Sequence, residues 1–424
     1  MGYATPSKKG SLIMSKHKID YLVEKHLIKD THAYFGELDS LCFLSKNLYN
    51  ATLYHVRQAF FKDLPFLAYP VINKQFTHEK QPDYTALPAK VAKHTQKLVE
   101  KAYRSFFALR KHKDPQIAKM ARIPKYLDKA GRQVVHYEKG ALSLVKDGLI
   151  TLSKTNITIK TKLSKKQIEF VRVVPCGNHI MLEVGYKANY PKPLPKGNKI
   201  ASIDIGLNNL ATITSTVATP IIINGKPLKS INQFANKMIA KEQAKLDTKL
   251  KTSTQRKDKL WLKRKTKISN YLHKASRLIV NYLVANHIDT LVIGKNDGWK
   301  QNIDIGKRNN QNFVQIPFTT FIEKLTYKCY QQGIDVVVQE ESYTSKCSFL
   351  DDEPICKHEI YLGRRIKRGL FKASDGKIIN ADINGSANIL KKYLQEKETW
   401  NDCIKSDLVA MCSTSFILKL TPHW

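Results

Sequence analysis

The sequence predicts a multidomain protein with α/β, β-barrel and helical parts: a helical amino-terminal lobe, a small β-rich, barrel-like module, and an α/β sheet with acids at its strand ends. Three observations carry this. The 424 residues exceed what one hydrophobic core usually serves, which favours two or three domains. The hydrophobic fraction of 42% suffices for packed cores and excludes a disordered chain. The apolar period also changes twice, from three-and-four spacing to two, and then to strands alternating with helices.

Residues 1–15 form a leader with no apolar core, so no secretory signal is expected. Residues 16–130 read as mostly helical, because "LCFLSKNLYNATLYHVRQAFF" and "LPAKVAKHTQKLVEKAYRSFFALRKHK" repeat apolar residues at helical spacing with cations between. Leu98, Ala102, Phe106 and Leu109 are expected to line one face, and Lys93, Lys97, Lys101 and Arg104 a separate basic stripe. Any single lysine there is an ordinary solvated charge. Interleaved with Tyr103, Phe106 and Phe107, the set suits a nucleic-acid backbone.

Over 131–198, "GLITLSKTNITIKT" and "IEFVRVVPCGNHIMLEVGYK" predict short strands joined at "DG" and "CGNH" turns. "NYPKPLPKGNK" (189–199) reads as a linker. A strand over 200–205 then turns at Gly206 into "LATITST" and a third strand near "PIIING". A long basic helical stretch (229–287), a strand (290–294), a helix (317–332) and a strand (334–341) follow. After a loop-rich insertion comes a final helix starting near Asp382. Meander, helix, strand, helix, strand, helix is the order of a ribonuclease H-like sheet. The segment 393–424 carries no readable motif.

The balance of 71 Lys+Arg against 36 Asp+Glu, a net +35, points to a polyanionic partner, nucleic acid. The most apolar region (278–294) is interrupted by Asn281, His287 and Asp289, short of the ~18 uncharged apolar residues of a membrane span. Seven scattered cysteines, an odd number, indicate a reducing cytoplasm rather than a disulfide scaffold.

Against this basic background three acidic positions stand out. Asp204 ends a strand heading into a core, where an unpaired charge costs several kcal/mol. Glu340 and Glu341 end the strand that carries Val336–Val338, and Asp382 opens the last helix between Asn380 and Asn384. Each alone has an ordinary explanation as a turn cap, a solvated strand end or a helix N-cap. Together they sit where the first and fourth strands and the last helix of such a sheet converge. Carboxylates there can hold two divalent cations ~4 Å apart for phosphodiester cleavage, and oxygen-only ligands suit Mg2+, with Mn2+ as a substitute.

The stretches "SIDIGLNNLATI", "LVIGKNDGWKQNIDIGKRNNQNFVQIPF", "EESYTSKCSF" and "YLGRRIKRGLFKASDGKIINADINGSANILKK" closely resemble the TnpB (OrfB) proteins of insertion sequences, relatives of type V CRISPR effectors. The resemblance is most specific over 200–392. It implies an RuvC-like nuclease domain of ribonuclease H fold (199–392), preceded by a wedge β-barrel (131–198) with a helical recognition lobe that includes the start of the wedge (16–130). It also implies a transposon-encoded, RNA-guided DNA endonuclease with guide RNA and target DNA as partners. Asp204 matches the first RuvC aspartate and Asp382 the last. Many members carry the middle glutamate on the strand that here reads "LVIGKN", where Gly294 and Lys295 stand instead. The "EES" motif resembles a branch with a relocated glutamate, which favours Glu341, with Glu340 second. On a strand, alternation lets only one of them face the metals.

Relatives also carry two Cys-x-x-Cys pairs in the insertion (343–375), which here has only Cys347, Cys356 and His358. A structural zinc site needs four ligands in two close pairs, so zinc is not expected. Lys346, Arg364, Arg365, Lys367 and Arg368 crowd the approach to Asp382, while Lys295, Trp299, Lys300, Lys307 and Arg308 follow "LVIG". As clusters they suit binding of the scissile strand, with Trp299 available to stack on a base. Two rival readings stay open: a nuclease-dead RNA-guided repressor and a guide-independent transposase or resolvase.

Overall fold

The structure, a computed structural model, describes residues 21–246, 254–296, 314–412 and the backbone of 416–418. The described residues divide into two compact units, one ending at Ala188 and the other beginning at Asn189. No helix among the described residues is long and apolar enough to cross a membrane.

The first unit opens on a strand, β1 (Tyr21–Lys29), followed by helices α1 (Phe35–Phe61), α2 (Tyr69–His78), α3 (Pro82–Thr85), α4 (Ala89–Arg110) and α5 (Pro115–Lys119). Strands β2 (Val135–Glu138), β3 (Leu142–Lys146), β4 (Leu149–Leu152), β5 (Thr158–Lys160), β6 (Ile168–Pro175) and β7 (His179–Lys187) complete it. The helical reading of 16–130 missed β1, which pairs antiparallel with β7 from Tyr21↔Lys187 to Lys29↔His179. In β1 only Ile28 is buried, so the strand has no apolar alternation to announce it, and its partner is remote in sequence.

The expected barrel is not closed among the described residues. The strands form two sheets, one ordered β1-β7-β6-β2 and the other β3-β4-β5. The face of α4 also differs from expectation: Val91, Thr95, Val99, Tyr103 and Phe106 are buried, whereas Leu109 is exposed. A helical repeat starting at Val91 competes with the one through Leu98, and packing against α1 and β2 selects it. Lys93, Lys97, Lys101 and Arg104 do form an exposed stripe.

The second unit is a sheet with helices on both faces. Its elements are β8 (Ile200–Asp204), β9 (Asn209–Ser215), β10 (Ile221–Asn224), α6 (Lys226–Gln243), α7 (Gln255–Ala285), β11 (Thr290–Gly294), α8 (Phe318–Tyr330) and β12 (Asp335–Gln339). A small lobe of β13 (Arg364–Lys367), β14 (Leu370–Lys372) and β15 (Ile378–Asn380) follows, then α9 (Ala381–Glu396), α10 (Asp402–Cys412) and β16 (Phe416–Leu418). The sheet order is β12-β11-β8-β9-β10-β16. The meander β8–β9–β10 is antiparallel, and β11 and β12 run parallel to β8. The long basic stretch divides into two helices, α6 and α7. The segment without a motif supplies α10 and an edge strand parallel to β10.

Side-chain alternation splits the sheet into two faces. Ala201, Ile203, Leu291, Ile293 and Val336 pack with α6–α8, whereas Ile200, Ile222, Val292 and Val337 pack with α9 and α10.

Candidate active site

Asp204 ends β8 on the same face as Ser202, under α9. The Ser202 hydroxyl donates to the Ser386 carbonyl at 2.7 Å and joins Thr214 and Ser386 in a buried hydroxyl network. This network seats α9 on the strand. The approach needs a glycine, because a Cβ on Gly385 would stand 2.9 Å from Asp204 Oδ2.

Asp382 lies in the first turn of α9, and the cap is Asn380, whose Oδ1 accepts from the Asp382 and Ile383 N–H groups. The Asp382 carboxylate is therefore free for other partners. Its Oδ2 accepts from Asn209 Nδ2 at 2.7 Å, and its Oδ1 lies 3.7 Å from the Arg365 guanidinium.

Because β12 stops at Gln339, Glu340 and Glu341 lie beyond the strand and period-two alternation does not govern them. They diverge all the same. Glu340 pairs with Lys392 of α9 and accepts the Ser342 N–H at 2.8 Å. The Glu341 N–H donates to Asn296 Oδ1 at 3.1 Å, and its carboxylate covers Gly294, where a Cβ would meet Oε2 at 2.7 Å. The glycine in "LVIG" leaves the space that Glu341 fills.

Burial, then the charges of Glu341 and Asp382, push the Asp204 carboxyl up to about 8, against the pull of Arg365. Glu341 is pushed up to about 7 by burial first and then by the charge of Glu340, with an Asn296 backbone hydrogen bond opposing. For Glu340 partial burial also raises the value, but hydrogen bonds from Lys392 and Ser342 outweigh it and hold the carboxyl below its ordinary range. Among the described residues no group of three or more His, Cys, Asp or Glu side chains is placed to hold a metal ion. Asp204, Glu341 and Asp382 share one electrostatic neighbourhood instead.

Of the expected cations, Arg365 reaches the acids. Arg364 and Lys367 are exposed on β13, and Arg368 is exposed just after it. Lys346 lies 6.0 Å from the Tyr361 ring, and the Lys295 N–H donates to the Gln339 carbonyl. Trp299, Lys300, Lys307 and Arg308 lie outside the described residues. Cys356 Sγ is 3.4 Å from His358 Nε2, and the buried Cys347 thiol donates to the Cys356 carbonyl. Asn209, Asn296, Gly294 and Gly385 escaped sequence reasoning as site residues. A glycine inside the helical pattern of "NADINGSANIL" was the available signal for Gly385.

A probable-transposase family model, OrfB_IS605, matches residues 179–300, which hold Asp204. A Cas12f1-like TNB domain model matches 318–389, which hold Glu341 and Asp382. Similar curated proteins include the TnpB-like protein ORF457 of Acidianus two-tailed virus, 24% identical over 47% of this chain and 42% of that protein. Over these residues the chain is similar to the TnpB family and to the related type V effectors. Another similar protein is the CRISPR-associated endodeoxyribonuclease Cas12f2 of a Micrarchaeota archaeon, 27% identical over 46% of this chain and 37% of that protein. The chain thus spans about two fifths of the length of these curated relatives. Among solved structures, a Cas12f1–sgRNA–target DNA complex aligns with TM-score 0.35 at 15% identity, covering 87% of this chain and 98% of that chain.

Proposed function

We propose that this chain is a transposon-encoded, RNA-guided DNA endonuclease that cuts through an RuvC-like site. The observation that carries this reading is the meeting of Asp204 of β8, Glu341 of the turn after β12 and Asp382 of α9 in one electrostatic neighbourhood. The strand order β10-β9-β8-β11-β12 supports the ribonuclease H-like fold that such a site needs. The similarity to a protein named as an endodeoxyribonuclease points the same way.

The three acids would hold divalent cations. Their donors are all oxygen, and the burial and then the mutual repulsion that raise Asp204 are what a hard cation relieves, which suits Mg2+ or Mn2+. Mg2+ keeps waters and substrate phosphates and takes few protein ligands, so a closed protein cage is not required. Bound cations supply the charge that activates a water and steadies the leaving oxygen of a phosphodiester. The chain's own groups do the rest. Asn209 fixes the Asp382 carboxylate, Gly385 lets α9 close on Asp204, and Arg365 offers a planar guanidinium for a phosphate.

The +35 charge would hold guide RNA and heteroduplex. Base pairing would choose the sequence, and the protein would read a short flanking duplex motif. The test is to sequence the RNA that co-purifies with the chain and to assay cleavage of matching DNA with Mg2+. Guide-dependent cutting is expected. Cutting without RNA would favour the transposase or resolvase reading, and RNA-directed binding without cutting would favour the repressor.

A further inference from the structure

Between β12 and α9 the chain makes a loop and then the β13–β15 lobe that presents Arg365. Glu353, in that loop, is 2% exposed. A buried carboxylate is costly unless its oxygens are bonded, and here both are. Glu353 Oε2 accepts the Ser348 N–H at 2.6 Å, and Oε1 accepts the Leu362 N–H at 2.9 Å. We infer that Glu353 is a positioning residue for Arg365, joining the part of the loop bolted to α9 to the strand that carries the guanidinium. This role rests on the nuclease reading of the site.

The Ser348 side is fixed to α9. The Cys347 carbonyl accepts from Asn384 Nδ2 and Asn388 Nδ2 at 2.9 and 2.8 Å, and the Phe349 N–H donates to Asn384 Oδ1 at 2.9 Å. The Glu353 carbonyl accepts from the buried Lys391 ammonium of the same helix at 3.0 Å. Asp382 is on that helix too, so one rigid element carries both the carboxylate and the anchor of the loop.

The Leu362 side leads directly into β13. Leu362 stands three residues before Arg365, and Gly363 lies so close to Ser348 that a Cβ there would be 2.9 Å from the serine Cβ. The backbone that launches Arg365 is thereby referenced to α9 through one side chain. The far end of the lobe has a separate tie, where Asp351 Oδ2 accepts the Ser374 N–H at 3.0 Å. Arg365 is long and half exposed, at 3.7 Å from Asp382 Oδ1, so its reach depends on where its strand begins. Glu353→Gln places an NH2 donor against one of two N–H groups and releases one tether.

The experiment is a double-mutant cycle on the full chain loaded with its co-purified RNA, reading single-turnover DNA cleavage, DNA binding and thermal midpoint. Glu353→Gln should slow cleavage about 10- to 100-fold, as a misplaced group does, while DNA binding stays unchanged. The Glu353→Gln/Arg365→Ala double variant should be no slower than Arg365→Ala alone. A merely structural residue would instead slow the Arg365→Ala protein by its own full factor, and that result overturns the role, as does wild-type cleavage by Glu353→Gln. If the glutamine variant does not fold, Glu353→Asp, which keeps the charge but shortens the reach, enters the same cycle under the same criteria. Full-rate cleavage by Asp204→Ala would overturn the underlying site, and this role with it.

Discussion

The two faces of the second unit's sheet are covered with different chemistry. Under α7 and α8, Ala201, Ile203, Leu291 and Ile293 meet Leu272, Ile279, Phe318, Phe321 and Leu325, a largely apolar contact in which Tyr271 bonds the Asn224 carbonyl and Lys328 bonds Ser276. Under α9 the same strands present Ser202, Asp204 and Thr214 beside Ile200 and Val292; Ser386 of the helix bonds the strand hydroxyls, while Asn384, Asn388 and Lys391, at 1% exposure or less, bond the loop after β12. Apolar burial is non-directional and sets stability. Directional bonds set position, because a buried polar group tolerates few geometries. The face that holds the acids is the one where position is specified.

Substitutions can break that contrast. The largest effect belongs to Asp204→Ala and Asp382→Ala, each expected to cut DNA cleavage by at least about a thousandfold. Binding should hold or tighten as negative charge leaves, and wild-type rates would remove the residue from the site. Glu341→Gln should follow, at roughly a hundredfold, checked by Mg2+-dependent cleavage. Gly294→Ala comes next. Its methyl would press on Glu341 Oε2 and Ile389 Cδ1, and about a tenfold loss of cleavage rate is expected.

On the apolar face, Ile279→Val should lower stability by about 0.5–1.5 kcal/mol in denaturant melts and leave cleavage by folded protein unchanged. Ser386→Ala, which removes a single oxygen across the sheet, should slow cleavage; equal behaviour of the two variants would dissolve the distinction between the faces. The smallest effect is expected for Glu340→Gln. Its carboxylate is turned toward Lys392, and activity should stay within about twofold, the usual scale for an exposed ion pair. A large loss here with an active Glu341→Gln protein would exchange the two roles.

Much of this sheet was legible because strand and helix periods report local facing. The order of elements around β8, β11, β12 and α9 follows from runs such as "TLVIG" and "IDVVVQEE". The placement of Asp204 on the α9 face follows from Ser202 and alternation. What the sequence hid depends on remote partners. β12 ends two residues before Glu341 because the chain turns away after Gln339 and bonds Asn296. Gly294 and Gly385 look like weak points in their elements until the carboxylates they accommodate are placed. In the other unit, α4 buries the stripe that α1 and β2 select, and the β-rich region splits into two sheets because β1 and β7 pair with each other.

That pairing has a consequence during synthesis. Among the described strands of its unit β1 leaves the ribosome first and β7 last, with α1–α5 and five strands between them. At ordinary elongation rates β1 waits roughly 10–30 s for its partner. Over that interval it is a lone ribbon with open backbone groups, the kind of edge that recruits other chains. Glu24, Lys25 and His26 in its middle are the charged and polar residues that blunt such an edge. The helices threaded between the two rails make local contacts and can form meanwhile. A module of this kind can be lengthened or exchanged in evolution while both ends of the ladder stay where they are.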